Sequence, residues 1–104
     1  MIFIETSIFT EAIRRLLPDE AYRHLQMALM VRPEAGDFIR GSGGLRKVRW
    51  KVVGGGKRGG LRVIYYWDPP GTVYMLFAYR KSQQEDLTPA QLRLLRGAVR
   101  EWLK

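Results

Sequence analysis

Three strand-like segments follow one another in the second half of the chain and constrain its fold more than any other feature. They are Leu45 to Val53, Leu61 to Trp67 and Val73 to Lys81, and each is rich in β-branched, aromatic or other apolar residues. The connections between them, Gly54 to Gly60 and Asp68 to Gly71, consist mostly of turn-forming residues. Because only antiparallel neighbours can be joined by short connections, the segments predict an antiparallel meander.

Helical patterns flank this meander. After a short first strand, Ile2 to Glu5, apolar residues recur at helical spacing on both sides of Pro18, which predicts two helices. Thr88-Pro89-Ala90-Gln91 predicts the start of a last helix, since it combines an N-cap, a proline at the first helical position and a capping-box glutamine. The order is therefore β-α-α-β-β-β-α. We expect one α+β domain spanning residues 1–104, with a mostly antiparallel sheet and the helices packed on one face.

Positive charge is concentrated in the middle of the chain. The formal net charge is +8, and the segment from Phe38 to Trp67 contains eight basic residues and no acidic residue. A phosphate-rich partner suits such a run, because each cation that neutralises a phosphate releases a counterion. The eight residues are Arg40, Arg46, Lys47, Arg49, Lys51, Lys57, Arg58 and Arg62.

The first strand of the meander carries part of this charge on one face. Side chains alternate along a strand, so Lys47, Arg49 and Lys51 are expected in a row, about 7 Å apart. Arg62 on the next strand can join them. A solvated sheet face is the alternative interpretation, but such faces usually mix both signs of charge, and this row contains no acid.

Several classes of site are excluded by composition. The chain has no cysteine and a single histidine, His24, so it has neither disulfides nor thiolate metal ligands, and we expect no bound metal and no cofactor. Its longest apolar run is too short to cross a bilayer, and its N-terminus lacks the features of a signal peptide. We therefore expect a cytoplasmic protein that does not associate with membranes.

The motifs of the central and C-terminal regions resemble a known family. They are similar to those of the RelE/HigB-like toxins of bacterial toxin–antitoxin modules, within the RelE/ParE superfamily, and the similarity extends over nearly the whole chain. The motifs are Gly43-Gly-Leu-Arg-Lys-Val-Arg49, Gly56-Lys-Arg-Gly-Gly60, Arg62-Val-Ile-Tyr-Tyr66, Tyr79-x-Lys81 and Asp86-Leu-Thr88.

The resemblance implies a RelE-like fold and a ribosome-dependent mRNA endonuclease that cuts in the A site by 2′-hydroxyl attack. This cleavage reaction needs no metal, since cations can stabilise the developing phosphorane. The family resemblance also implies catalytic roles for Arg49, Lys57, Arg62 and Lys81. Glu85 is a candidate general base. The residues expected to bind RNA are Arg46, Lys47, Lys51, Arg58, Tyr79 and Arg80.

The resemblance also implies partners and leaves two alternatives. The partners are the ribosome with its mRNA, and a cognate antitoxin with a helix-turn-helix DNA-binding domain. A chain of charge +8 suits an acidic segment of such an antitoxin. One alternative is a ParE-like toxin of the same fold that inhibits DNA gyrase and cuts nothing. The other is a non-catalytic nucleic-acid-binding module.

Overall fold

A computed structural model describes residues 1–51 and 60–103. The predicted end of the first meander strand, Val52 and Val53, and most of the glycine-rich connection lie outside these residues. The described elements follow the predicted order, with one additional short strand. They are β1 (Ile2–Glu5), α1 (Ser7–Leu16), α2 (Asp19–Val31), β2 (Asp37–Phe38), β3 (Arg46–Lys51), β4 (Gly60–Asp68), β5 (Thr72–Arg80) and α3 (Pro89–Trp102).

The strands form a single sheet in the order β1-β5-β4-β3-β2. The pairs from β2 to β5 are antiparallel, and only β1 runs parallel to its neighbour β5. The predicted α+β class, meander and mostly antiparallel sheet are thus confirmed. Strand β2 was not predicted, because two residues are too few to show an alternating pattern.

The helices cover both faces of the sheet, so their predicted placement on one face is wrong. Helices α1 and α2 pack over Leu61, Val63 and Tyr65 of β4, whereas α3 packs over Ile64 and the Leu76 side chain of β5. The physical reason is that β4 is apolar at consecutive positions and buried from Leu61 to Tyr65. A strand of this kind requires cover on both faces.

A β-bulge in β5 changes which side chains point toward α3. Ile64 pairs with Phe77 but the next residue, Tyr65, pairs with Met75, which leaves Leu76 as the extra residue. The bulge reverses the alternation that a regular strand would continue. As a result Tyr79 lies on the α3 face of the sheet.

The start of α3 is fixed by the predicted capping box. The Thr88 hydroxyl accepts a hydrogen bond from the Gln91 backbone N–H at 3.1 Å, and the Gln91 side chain accepts one from the Thr88 N–H at 2.9 Å. Arg96 then donates to the Gly41 carbonyl at 3.0 Å, which ties the helix to the turn before β3. These contacts hold the segment between β5 and α3 against the sheet.

We expect Tyr65→Phe to lower the free energy of unfolding by about 1–3 kcal/mol. The buried Tyr65 hydroxyl donates to the Pro33 carbonyl at 2.7 Å and accepts from the Gly36 N–H at 2.8 Å. Its removal would leave both backbone groups without a partner, and urea unfolding measures the loss. Tyr66→Phe is the matched control, because that hydroxyl has no hydrogen-bond partner in the part of the chain described. Equal midpoints for Tyr65→Phe and wild type would contradict this account.

Candidate nucleic-acid interface

Residues from three strands form one row across the α3 face of the sheet. Arg49 on β3 pairs with Arg62 on β4, and Arg62 pairs with Tyr79 on β5. Directly opposite residues project to the same face, with Cα atoms about 4.5–5.5 Å apart. The fold therefore brings together three predicted site residues that are distant in sequence.

A second row on the same face lies two residues further along the strands. Lys51 on β3 pairs with Gly60, and the Lys81 backbone N–H donates to the Gly60 carbonyl at 3.1 Å. Both lysine side chains are exposed. A Cβ at Gly60 would lie only 3.3 Å from Nη1 of Arg62, so a side chain at this position would crowd the guanidinium group. Here the cationic cluster denotes Arg49, Lys51, Arg62 and Lys81.

Arg62 is the buried member of the cationic cluster. Its side chain is only 8% exposed, and its Nη1 donates to the Leu61 carbonyl at 3.2 Å. In residues 1–51 and 60–103 no carboxylate forms an ion pair with it. A guanidinium carries five N–H donors, so most of its donor capacity remains for an anionic ligand. Burying a charge is costly unless it is paired, and a bound phosphate would supply the missing partner.

Tyr79 places an unpaired hydroxyl beside Arg62. The residue is 4% exposed, and its Oη has no hydrogen-bond partner in the described part of the chain. Burial raises the pKa of Tyr79, and the negative charge of Asp86 adds to this effect, while Arg62 opposes it. The hydroxyl is therefore protonated at neutral pH and can donate a hydrogen bond. Buried polar groups without partners are rare, so this one is a candidate ligand-binding donor.

An open groove of about 460 Å³ adjoins this row. Lys47 and Asp86 form an ion pair within it, with 2.7 Å between Nζ and Oδ1. The hydrogen bond and charge of Lys47 hold the pKa of Asp86 below its usual value. Lys47 is therefore partly neutralised, whereas no ion pair is formed by the cationic cluster among the described residues. The groove is lined by Asp37, Phe38, Ile39, Arg40, Lys47, Arg49, Tyr79, Asp86, Leu87 and Leu92.

Two predicted RNA-binding residues lie on the opposite face of the sheet. Arg46 pairs with Tyr65, and its Nη1 donates to the carbonyls of Glu34 and Gly36 at 3.1 and 2.8 Å. Arg80 pairs with Leu61 and thus faces the α1 and α2 side. The predicted set of RNA-binding residues included adjacent residues of one strand, whose side chains point to opposite faces of the sheet. Strict alternation from Lys47 would have separated Arg46 from the row.

The remaining predicted site residues lie apart from the groove or outside the description. Glu85 is exposed and does not line the groove, whereas its neighbour Asp86 does. Lys57 and Arg58 fall outside residues 1–51 and 60–103. The ion pair of Asp86 was missed because it spans 39 residues, and no local sequence pattern reports such a contact.

Within residues 1–51 and 60–103, no three or more histidine, aspartate or glutamate side chains are grouped so that they could hold a metal ion. None of the helices in the same ranges combines the length and the apolar character that a bilayer span requires.

Comparison with known structures identifies the fold. The chain is similar to the E. coli toxin RelE, solved as a double mutant in its free state, with a TM-score of 0.56 and 17% sequence identity. The match covers 81% of this chain and 86% of the RelE chain. No protein-family model matches the sequence. The fold is therefore RelE-like, as the resemblance of the motifs implied.

Proposed function

We propose that this RelE-like chain is the toxin of a toxin–antitoxin module and cuts mRNA in the ribosomal A site. The cationic cluster carries the proposal, because Arg49 and the buried Arg62 lie in one row with the Tyr79 hydroxyl. Among the described residues, Arg62 has no carboxylate partner and that hydroxyl has no hydrogen-bond partner. A phosphodiester placed on this row would meet two guanidinium groups and one neutral donor. The RelE likeness supports the same class of protein.

The reaction that suits these groups is an internal transfer within RNA. The ribose 2′-hydroxyl attacks the adjacent phosphorus, the bond to the 5′ oxygen of the next nucleotide breaks, and a 2′,3′-cyclic phosphate remains. The 2′ proton leaves to a base, and the departing 5′ oxygen takes up a proton. In this proposal Arg49 and Arg62 stabilise the charge that develops on the phosphorane. Lys81, as a cation, is suited to contact the leaving 5′ oxygen. Lys57 is proposed as a further catalytic residue because it belongs to one of the motifs that resemble the family.

The RNA extends over the neighbouring cations in this proposal. Lys51 belongs to the same face as Arg49, and Arg40 lines the adjoining groove. Lys47 contributes the part of its charge that the ion pair with Asp86 leaves uncompensated. The cytoplasm, where ribosomes translate, is the proposed place of action, and no metal or cofactor takes part.

The proposed protein partner is an antitoxin that presents acidic residues. The net charge of +8 and the exposed side chains of Arg49, Lys51 and Lys81 would attract such a segment. An antitoxin bound there would compete directly with RNA. A helix-turn-helix domain in that partner is part of the same proposal.

Induction of the protein in bacteria is expected to arrest growth by stopping translation. Pulse-labelling with amino-acid and thymidine precursors after induction measures the order of events. Protein synthesis should fall first, because the proposed substrate is mRNA on the ribosome. A fall in DNA synthesis before protein synthesis would contradict the proposal and favour gyrase inhibition.

A further inference from the structure

Asp86 is a carboxylate at the edge of a surface that otherwise suits phosphate. Its Oδ1 accepts from Lys47 at 2.7 Å, while the side chain remains 73% exposed. Among the described residues no hydrogen bond is formed by its second carboxylate oxygen, Oδ2. One acceptor of this group is therefore held in place and the other is open to a ligand.

The backbone around Asp86 is fixed rather than free to move away. The Gln84 side chain donates to the Asp86 carbonyl at 2.9 Å and to the Gln91 side chain at 2.9 Å. Gln91 is itself part of the capping box that begins α3. Together with the ion pair to Lys47, these contacts anchor Asp86 from α3 on one side and β3 on the other.

A fixed carboxylate beside the cationic cluster selects a particular kind of ligand group. An ionised carboxylate only accepts hydrogen bonds, and it repels phosphate oxygens. Lys47, followed by the smaller effect of Arg62, keeps the pKa of Asp86 low, so the group is ionised at neutral pH. The parts of a nucleic acid that can donate to it are the N–H groups of the bases, which RNA and DNA share, and the hydroxyls of the sugar. The 2′-hydroxyl is the hydroxyl that distinguishes RNA from DNA.

The Tyr79 hydroxyl supplies the complementary group next to Asp86. The charge of Asp86 acts on the Tyr79 hydroxyl, and both residues line the same groove. The site thus offers a neutral donor, suited to a phosphate oxygen, beside a charged acceptor, suited to a sugar hydroxyl. One ribonucleotide presents these two partners side by side, whereas a deoxyribonucleotide presents only the phosphate.

We propose that Asp86, held by Lys47, accepts a hydrogen bond from a ribose 2′-hydroxyl and thereby makes this surface selective for RNA over DNA. The inference rests on the proposed function, since it assigns a specificity-determining residue within that site. It gives Asp86, rather than Glu85, the contact with the sugar. It requires neither the ribosome nor cleavage, so it can be tested separately.

The test compares binding of three fluorescent single-stranded oligonucleotides of one sequence: RNA, DNA and 2′-O-methyl RNA. Anisotropy in low salt, without ribosomes, gives each dissociation constant. The 2′-O-methyl form keeps the RNA-like sugar but lacks the hydroxyl donor. Wild type should bind RNA about tenfold or more tightly than either analogue, as for a hydrogen bond to a charged group. In Asp86→Ala the three affinities should become equal within about a factor of two, a loss of at least about fivefold in selectivity.

Glu85→Ala is the matched control, because it removes the same charge from the adjacent exposed position. It should raise affinity for all three oligonucleotides equally and keep the preference for RNA. Asp86 is a surface group, so its replacement should leave the fold intact, and circular dichroism verifies this. Equal affinities in wild type, no measurable RNA binding, an unchanged preference in Asp86→Ala, or the same loss in Glu85→Ala would each overturn the inference. Loss of selectivity in Asp86→Ala alone would support it even if ribosomal cleavage were absent.

Discussion

Arg62→Ala is expected to abolish growth arrest and to slow mRNA cleavage by about 10²–10³-fold. Loss of one donor to a developing oxyanion typically raises a barrier by about 2.7–4 kcal/mol. Arg62 meets this description because it lies between Arg49 and Tyr79 and has no carboxylate partner among the described residues. Growth after induction and single-turnover cleavage on ribosomes measure the effect.

Two further variants make this result interpretable. Arg93→Ala is the same substitution at an exposed position of α3, and it should arrest growth as wild type does. Arg49→Ala removes the exposed cation of the same row without disturbing the core, so it should slow cleavage while unfolding at the wild-type urea concentration. Full toxicity of Arg62→Ala would show that the active site lies elsewhere, and a loss explained by unfolding would be visible by circular dichroism.

Ribosome-bound mRNA is expected to be cut faster than free mRNA by several orders of magnitude. The cationic cluster offers charge stabilisation but no closely paired acid and base, since the Asp86 carboxylate is engaged by Lys47. Alignment of the 2′-hydroxyl with the phosphorus must then come from the ribosome, and positioning of this kind can contribute about 7–11 kcal/mol. Cleavage rates of one labelled mRNA, measured with and without programmed ribosomes, give the ratio. Similar rates for both forms would contradict the account.

The parts of the fold that follow local rules could be predicted from the sequence. The capping box at Thr88 and Gln91, the meander and the strand of β1 all depend on residues within a few positions of one another. The face on which α3 packs could not be predicted in this way. It depends on β4 being buried at every position from Leu61 to Tyr65, with Val63, Ile64 and Tyr65 in succession, which demands cover on both sides.

The candidate site shows the same division between local and long-range information. Alternation along β3 was enough to predict that Lys47, Arg49 and Lys51 share a face. The position of Tyr79 depends instead on the extra residue Leu76, since without that bulge the ring would face α1 and α2. The ion pair between Lys47 and Asp86 joins two distant segments, so neither residue's surroundings could be read from its neighbours in sequence.

The most direct test of the central claim is toeprinting of an initiated ribosome with the purified protein. The mRNA carries a defined codon in the A site, and primer extension reports any new 5′ end there. The account predicts a cut within the A-site codon with wild type, a 2′,3′-cyclic phosphate on the upstream fragment, and no cut with Arg62→Ala. An intact A-site codon under these conditions, with folded wild-type protein bound to the ribosome, would contradict it.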